Sequence, residues 1–577
     1  MQKRPMDAIC PVGIHTRRKS MKKILTTMLT AALLGAFAQG FEEERQRAEQ
    51  WLDQTYKPGS ADHGAVRKKL QTITDSAKPE KEKIAELHKE FPKAFSAKQD
   101  EAEALYQKAV GFADKEDYVS AVKYGRMAAD RGHADAQFGL GICYANGYGV
   151  KKDPAEAAKW YRKAADQDQP DAQNNLALCY ANGNGVKKDQ AEAVKWFRKA
   201  ADQGVADAQF NLGMCYESGN GVKKDQAEAV KWYRKAAEQG VADAQNNLGL
   251  CYANGNGVKK DPAEAVKWYR KAADHGQADA QNNLGLCYYE GRGVNKDLAE
   301  AVKWVRKAAE QGNADAQLNL AAGYYYGRGV KKDLAEAMKW LRKSADQGNA
   351  ESQYYLGVFC YSGEGVKKDP AEAVKWYRKA AEQGFADAQF NLAKCYYDGK
   401  AIGKDLAEAM KWLRKAADQG HAEAQFNLAA CYYYGTEVKK DPAEAVKWLR
   451  KSAEQGFAEA QFNLAAGYYY GREVKKDLTE ALKWLRKSAE QGYAEAQFNL
   501  GYCYYSGEGV KKDLAEAIKW CRKAADQGFA EAECSLGYCY QNGEGVQKDL
   551  AEAEKWYRKA ADKGNADAKE ALKKLKK

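Results

Sequence analysis

The sequence predicts an all-α solenoid of about twelve to thirteen antiparallel helix pairs, each 36 residues long. Three observations predict it. Twelve tryptophans stand 36 residues apart, at Trp160, Trp196, Trp232, Trp268, Trp304, Trp340, Trp376, Trp412, Trp448, Trp484, Trp520 and Trp556, with only Trp51 outside the ladder. Each interval carries two short apolar stripes of helical period, separated by glycine turns. The intervals are nearly identical, and a helix pair this short buries its stripe only against a neighbouring copy.

In the first helix of a repeat (helix A), Ala172, Leu176 and Cys179 lie at i, i+4 and i+7 on one face. Gly183-Asn184-Gly185 then ends it, because glycine tolerates positive φ. The second helix (helix B) starts at Asp153-Pro154-Ala155-Glu156. Asp153 can cap free N–H groups, Pro154 suits the first helical position, and Glu156 stands at capping-box distance. Ala157, Trp160 and Ala164 form its apolar stripe, and a glycine such as Gly204 closes it at C′. Glu192 is placed to pair with Lys195 on the helix surface.

Twelve such repeats fill residues 134–565, and residues 98–133 read as a degenerate thirteenth, with Tyr124 in the tryptophan slot. Residues 566–577 form a Lys-rich capping helix, and residues 39–97 a charged, helical N-terminal cap region around Pro58-Gly59 and Pro79. Residues 1–38 read as a signal peptide. Met21-Lys22-Lys23 precedes the apolar run Ile24–Phe37, and Ala36-Phe37-Ala38 matches a small-residue cleavage site, with cleavage expected after about Ala38. Met21 is the alternative start, since the basic region begins there. The apolar run is shorter than the roughly 20 residues of a membrane-spanning helix. A periplasmic or secreted bacterial protein is therefore expected, although an endoplasmic-reticulum lumen would satisfy the same signal.

The net charge of +12 includes seven Lys/Arg and one acid in the first 38 residues, leaving +6 for the rest. Basic and acidic residues alternate within every repeat, which argues against a nucleic-acid partner. The six histidines are scattered, and no nucleophile elbow, Walker or His-Glu-x-x-His motif occurs, so neither an enzyme, a metal site nor a cofactor is expected.

The A-x-x-x-L-G core of helix A (Ala208 to Gly213), the Y-x-x-G-x-G-V turn (Tyr216 to Val222) and the A-x-x-W-Y-R-K-A-A run of helix B (Ala229 to Ala237) together resemble the Sel-one-like repeats, relatives of tetratricopeptide repeats. The resemblance covers about three-quarters of the chain. It implies a right-handed superhelix whose helix A elements line the concave face. It also implies adaptor or scaffold work, often by exported bacterial proteins; some family members are linked to penicillin hydrolysis, which keeps an enzyme as a third reading.

Twelve cysteines follow Cys10, nine of them in one helix A slot also filled by Gly323, Phe359 and Gly467. That slot accepts small or apolar groups, which suits buried thiols. Equivalent cysteines in adjacent repeats are expected about one helix spacing apart, beyond disulfide reach. Cysteine-rich members of the family bridge the end of helix B to the next helix A, but Ala201 and Gln209 stand there in this chain. One pairing stays open, Cys521 with Cys534 across an inter-helix hairpin.

The informative variation lies on helix A. Early repeats carry Asn174, Leu178 and Ala181; later ones carry Phe390, Lys394, Tyr397 or Phe426, Ala430, Tyr433. Tyr289, Tyr325, Tyr361, Tyr397, Tyr433, Tyr469 and Tyr505 then mark an aromatic groove over about residues 289–505, fit for a protein or peptide partner. An asparagine ladder that includes Asn391, Asn427 and Asn463 could clamp an extended backbone. Two other readings stay open: these side chains pack between repeats, or the groove holds cell-wall glycan such as peptidoglycan.

Overall fold

Each repeat folds because its local signals and its packing agree. In residues 206–241, helix A runs Ala206–Ser218 and ends at Gly219 (φ 80°), whose N–H donates to the Cys215 carbonyl at 2.8 Å. Asp225 caps helix B, Gln226–Glu238, by accepting from the Glu228 N–H at 3.0 Å. The capping box is only half formed. The Asp225 N–H bonds the Tyr216 carbonyl at 2.9 Å, and the Glu228 side chain instead holds Lys231 at 2.8 Å and Trp232 Nε1 at 3.1 Å. The Glu192–Lys195 pair forms at 2.9 Å.

The second turn glycine has a tertiary role. A Cβ on Gly221 would sit 2.0 Å from the Gln190 carbonyl oxygen of the preceding repeat, so this residue lets adjacent repeats touch backbone to backbone. Ala208, Leu212, Cys215, Trp232, Tyr233 and Ala236 are buried, and their counterparts continue the core from one repeat into the next. Volumes are matched across the pair. Gly213, Gly249 and Gly357 lie against Tyr233, Tyr269 and Tyr377, where a Cβ would meet the ring at 2.7 Å or less. Where helix B carries Leu413, Leu449 or Leu485 instead, helix A carries Ala393, Ala429 or Ala465 at the same place.

This computed structural model describes residues 92–575 continuously and, before them, 48–50, 52–53, 61–75, 86–87 and 89–90. The expected signal peptide lies outside the described residues. Among those residues the regular structure is helical throughout, in consecutive packed pairs, as the repeat pattern predicts. Pro92–Ala113 and Tyr118–Ala129 form the degenerate first pair, and Ala566–Leu575 packs on the last helix B, Leu550–Asp562. The chain divides into two compact units: one reaches Asn319 and includes Arg328–Lys331, and the other comprises Leu320–Gly327 and Lys332 onward. No described helix is long and apolar enough to cross a membrane.

Candidate partner-binding face

Helix A has one side that its own pair leaves uncovered. In Ala422–Tyr434 it runs through Glu423, Asn427, Ala430 and Tyr434, at i, i+4, i+7 and i+11. The C-terminal unit presents six exposed tyrosines from its helix A elements: Tyr397, Tyr433, Tyr434, Tyr470, Tyr502 and Tyr538, between 37% and 74% exposed. Most of their counterparts in the N-terminal unit are Ala, Asn or Leu.

The structure sorts the sequence-marked tyrosines by a neighbour 39 residues further on. Tyr325, Tyr469 and Tyr505 donate to Glu364, Glu508 and Glu544 at 2.7, 2.5 and 2.5 Å, each latching one repeat to the turn of the next. The acceptor carboxylate and burial push the Tyr505 hydroxyl up to about 12. Tyr289 instead accepts from Arg328. For Tyr361, Tyr397 and Tyr433 that neighbour is Lys400, Thr436 or Arg472, so no carboxylate latch forms. Tyr361 is half-buried, whereas Tyr397 and Tyr433 are exposed.

The phenylalanines of the same stripe do not line a groove. Phe390, Phe426, Phe462 and Phe498 pack against His421, Phe457, Tyr493 and Phe529, which precede the next helix A, with ring centroids 4.7–5.6 Å apart, the first pair stacked and the others tilted. They are inter-repeat packing. Asn391 and Asn427 are half-buried and Asn463 is exposed. Near the start of helix A, one carboxylate per repeat forms a row. Burial, and then Glu423 and Glu495 on either side, push the Glu459 carboxyl above its ordinary range. Asp171, Asp207 and Asp279 are raised in the same way in the N-terminal unit.

Sequence reasoning missed two polar ladders. A buried glutamine near the start of each helix A, such as Gln425, donates to the Ala417 carbonyl at 3.0 Å and accepts from Gln455 of the next helix B end at 2.6 Å. In the last repeat both partners change together, to Glu533 and Lys563, paired at 2.6 Å. That paired change was a signal visible in the sequence. An arginine of helix B also donates to the tyrosine hydroxyl 18 residues on, as Arg234 to Tyr252 at 2.6 Å and Arg450 to Tyr468 at 2.7 Å. This link orders the first tyrosine of each pair and leaves the second to vary.

The open Cys521–Cys534 bridge is not formed, and both thiols are free. Cys521 packs with Leu536 and Cys539 and directs its Sγ to the Ala532 carbonyl at 3.3 Å, whereas Cys534 packs with Tyr540, Tyr557 and Leu572. The two side chains belong to different layers. Burial pushes the Cys179 and Cys215 thiols up to about 11 and Cys251 and Cys521 to about 12, which leaves them protonated and poorly nucleophilic. Among the described residues no cluster of His, Cys, Asp and Glu could hold a metal ion.

Thirteen stretches match the Sel1 repeat: residues 102–133, then twelve consecutive 36-residue blocks from 134–169 to 530–565. Among solved structures, c5321, a protective antigen of uropathogenic Escherichia coli strains displaying an SLR fold, is 39% identical. The match covers 79% of this chain and 97% of that one, with a TM-score of 0.57. A Sel1 repeat protein from Oxalobacter formigenes is 36% identical over 52% of this chain and 87% of its own, with a TM-score of 0.41. No curated protein matches the chain.

Proposed function

Since the chain belongs to the Sel1 repeat family, we propose that it is an exported scaffold that holds a protein or peptide against the tyrosine-bearing side of helix A in its C-terminal unit. Proteins of this family generally serve as protein–protein interaction scaffolds and are typically non-catalytic. The observation that carries the finer reading is the confinement of the exposed helix A tyrosines to one unit, where Tyr397, Tyr433, Tyr434, Tyr470, Tyr502 and Tyr538 stand clear of the core. Stacking repeats needs only buried aromatics. Exposed ones cost solubility and are worth keeping where a partner covers them.

Export rests on the basic and apolar segment at residues 21–38. The description of a 39%-identical relative as a protective antigen agrees with a chain that leaves the cytoplasm. Exported material sequenced from its N-terminus should begin near Gln39; a start at Met1 or Met21 would refute cleavage.

The binding reading is tested by capture from the exported fraction with the full mature chain and with its Tyr397→Ala/Tyr433→Ala/Tyr470→Ala variant. A protein held by the native chain and lost by the folded variant supports it. Equal capture by both moves the interface to another surface. Retention on peptidoglycan alone replaces the protein partner with glycan.

A further inference from the structure

In the N-terminal unit the asparagine ladder is largely used up by links within the solenoid. Asn211, Asn283 and Asn319 donate Nδ2 to Oδ1 of Asn174, Asn246 and Asn282, 37 residues earlier, at 3.0–3.3 Å. Asn175 and Asn247, whose counterpart 37 residues earlier is Phe138 or Phe210, lie beside the hydroxyls of Tyr161 and Tyr233 instead, and the Tyr233 hydroxyl itself donates to Glu217 at 2.7 Å. At Asn427 and Asn463 both kinds of partner have turned apolar. The residue 37 earlier is Phe390 or Phe426, and the one at the tyrosine position is Leu413 or Leu449. Both phenylalanines are taken up by aromatic contacts with the next repeat. Asn499, the next in line, returns its Nδ2 to its own helix, at 2.7 Å from the Glu495 carbonyl. Two adjacent amides thus lose the partners that occupy their counterparts.

The same two repeats have a lowered floor. One turn beyond each asparagine stand Ala430 and Ala466, where the repeat before carries the exposed Lys394 and the repeat after the exposed Tyr502. This makes a trough across two helices, with Lys394 and Tyr502 at its ends and Tyr434 and Tyr470 along one side. Glu423 and Glu459 lie along the other, about 16 Å across by helical rise. Burial, and then Glu423 and Glu495, raise the Glu459 carboxyl, and this row of carboxylates from successive repeats gives the wall a charge complementary to a cation. Neighbouring helices stand about 8–10 Å apart. A polyproline-II chain rises about 3.1 Å per residue and returns to the same side every third residue, about 9.3 Å on. Its period matches one residue triplet per repeat.

Resting on the scaffold reading above, we propose that this trough receives an extended, polyproline-II-like polypeptide with Lys or Arg at every third position. The Asn427 and Asn463 amides bond main-chain groups one triplet apart, and the cationic ends reach Glu423 and Glu459. Tyr434 and Tyr470, on the far wall, pack against the residues between the cationic ones.

The test uses the full mature chain and a fluorescent peptide of four Lys-Thr-Pro triplets, read by anisotropy. Controls are a peptide of the same composition with its lysines contiguous and one with Glu in place of Lys. Expected are at least tenfold tighter binding of the triplet peptide than of either control, and a further weakening in added salt. Asn427→Ala/Asn463→Ala should lose at least tenfold, as should Ala430→Lys/Ala466→Lys, which copies the neighbouring Lys394. Both variants change accessible side chains and should keep native helicity by circular dichroism. Equal affinity for the triplet and contiguous-lysine peptides, or an unchanged folded asparagine variant, overturns the proposal. If the tyrosine variant still loses a captured protein while the triplet peptide fails to bind, this inference falls and the scaffold reading stands; if neither behaves as expected, both fall.

Discussion

The last repeat exchanges a buried amide pair for a charged one, which makes it a test of what the glutamine ladder contributes. Glu533 is 2% exposed; its Oε1 accepts from Lys563 Nζ at 2.6 Å, while its Oε2 has no partner. Lys563→Ala leaves a buried carboxylate alone. Removing one member of a fully buried pair costs about 3–5 kcal/mol. The Lys563 side chain is 43% exposed, so water reaches the vacated oxygen and the expected cost is about 2–3 kcal/mol. Repeats are coupled to their neighbours only, so the loss should be local. Hydrogen exchange followed by mass spectrometry should show amides of Ala530–Asn542 opening about 30- to 150-fold faster at about 1.4 kcal/mol per tenfold. The distant helix Ala206–Ser218 should not change. Glu533→Gln/Lys563→Gln rebuilds the pair used elsewhere and should return to within about 0.5 kcal/mol of the native chain. If Lys563→Ala leaves exchange unchanged, or the double variant is as labile as Lys563→Ala, the ladder does not hold the repeats together.

Four further outcomes are expected. The buried Gln245 Oε1 lacks a partner because His275 stands where other repeats have glutamine, so His275→Gln should gain about 0.5–1.5 kcal/mol in local exchange stability. Tyr469→Phe and Tyr505→Phe each break a carboxylate latch and should cost about 1 kcal/mol by denaturant unfolding, whereas Tyr433→Phe should change stability by less than about 0.3 kcal/mol. Glu437 and Glu473 occupy a turn position in the left-handed region, at φ 57° and 62°, where most other repeats have glycine; replacing either with Gly should raise stability by about 1 kcal/mol. The raised carboxyls of Asp207 and Glu459 bind protons more tightly folded than unfolded, so their stabilising contribution is full below the unfolded carboxylate pKa and lost as pH rises through the folded one. Burial and then Asp243 disfavour the charged form, so Asp207→Asn should raise the melting temperature at pH 7 and have little effect at pH 3; an equal shift at both values would refute this penalty on the charge.

The repeat was legible in the sequence because its determinants are local. The Asp153 cap, Pro154 at the first helical position, the glycine stops and the apolar stripes each act within a few residues, and the tryptophan ladder multiplies the signal. The same periodicity marked Tyr397 and Tyr433 as unusual, yet it could not separate them from Tyr469 and Tyr505, which look identical in their own helices. That distinction lies 39 residues away, in whether the next turn offers a glutamate. Likewise, the pairing of Gly213 with Tyr233 and of Ala429 with Leu449 reflects volume filled across two helices. The sequence by itself determined the helix pair, its period and its stacking, since these follow from backbone capping and the need to bury a stripe. Only the tertiary structure decided which tyrosines are latches, which phenylalanines are packing and which asparagines bond one another across repeats, because each of those roles depends on a partner in the adjoining repeat.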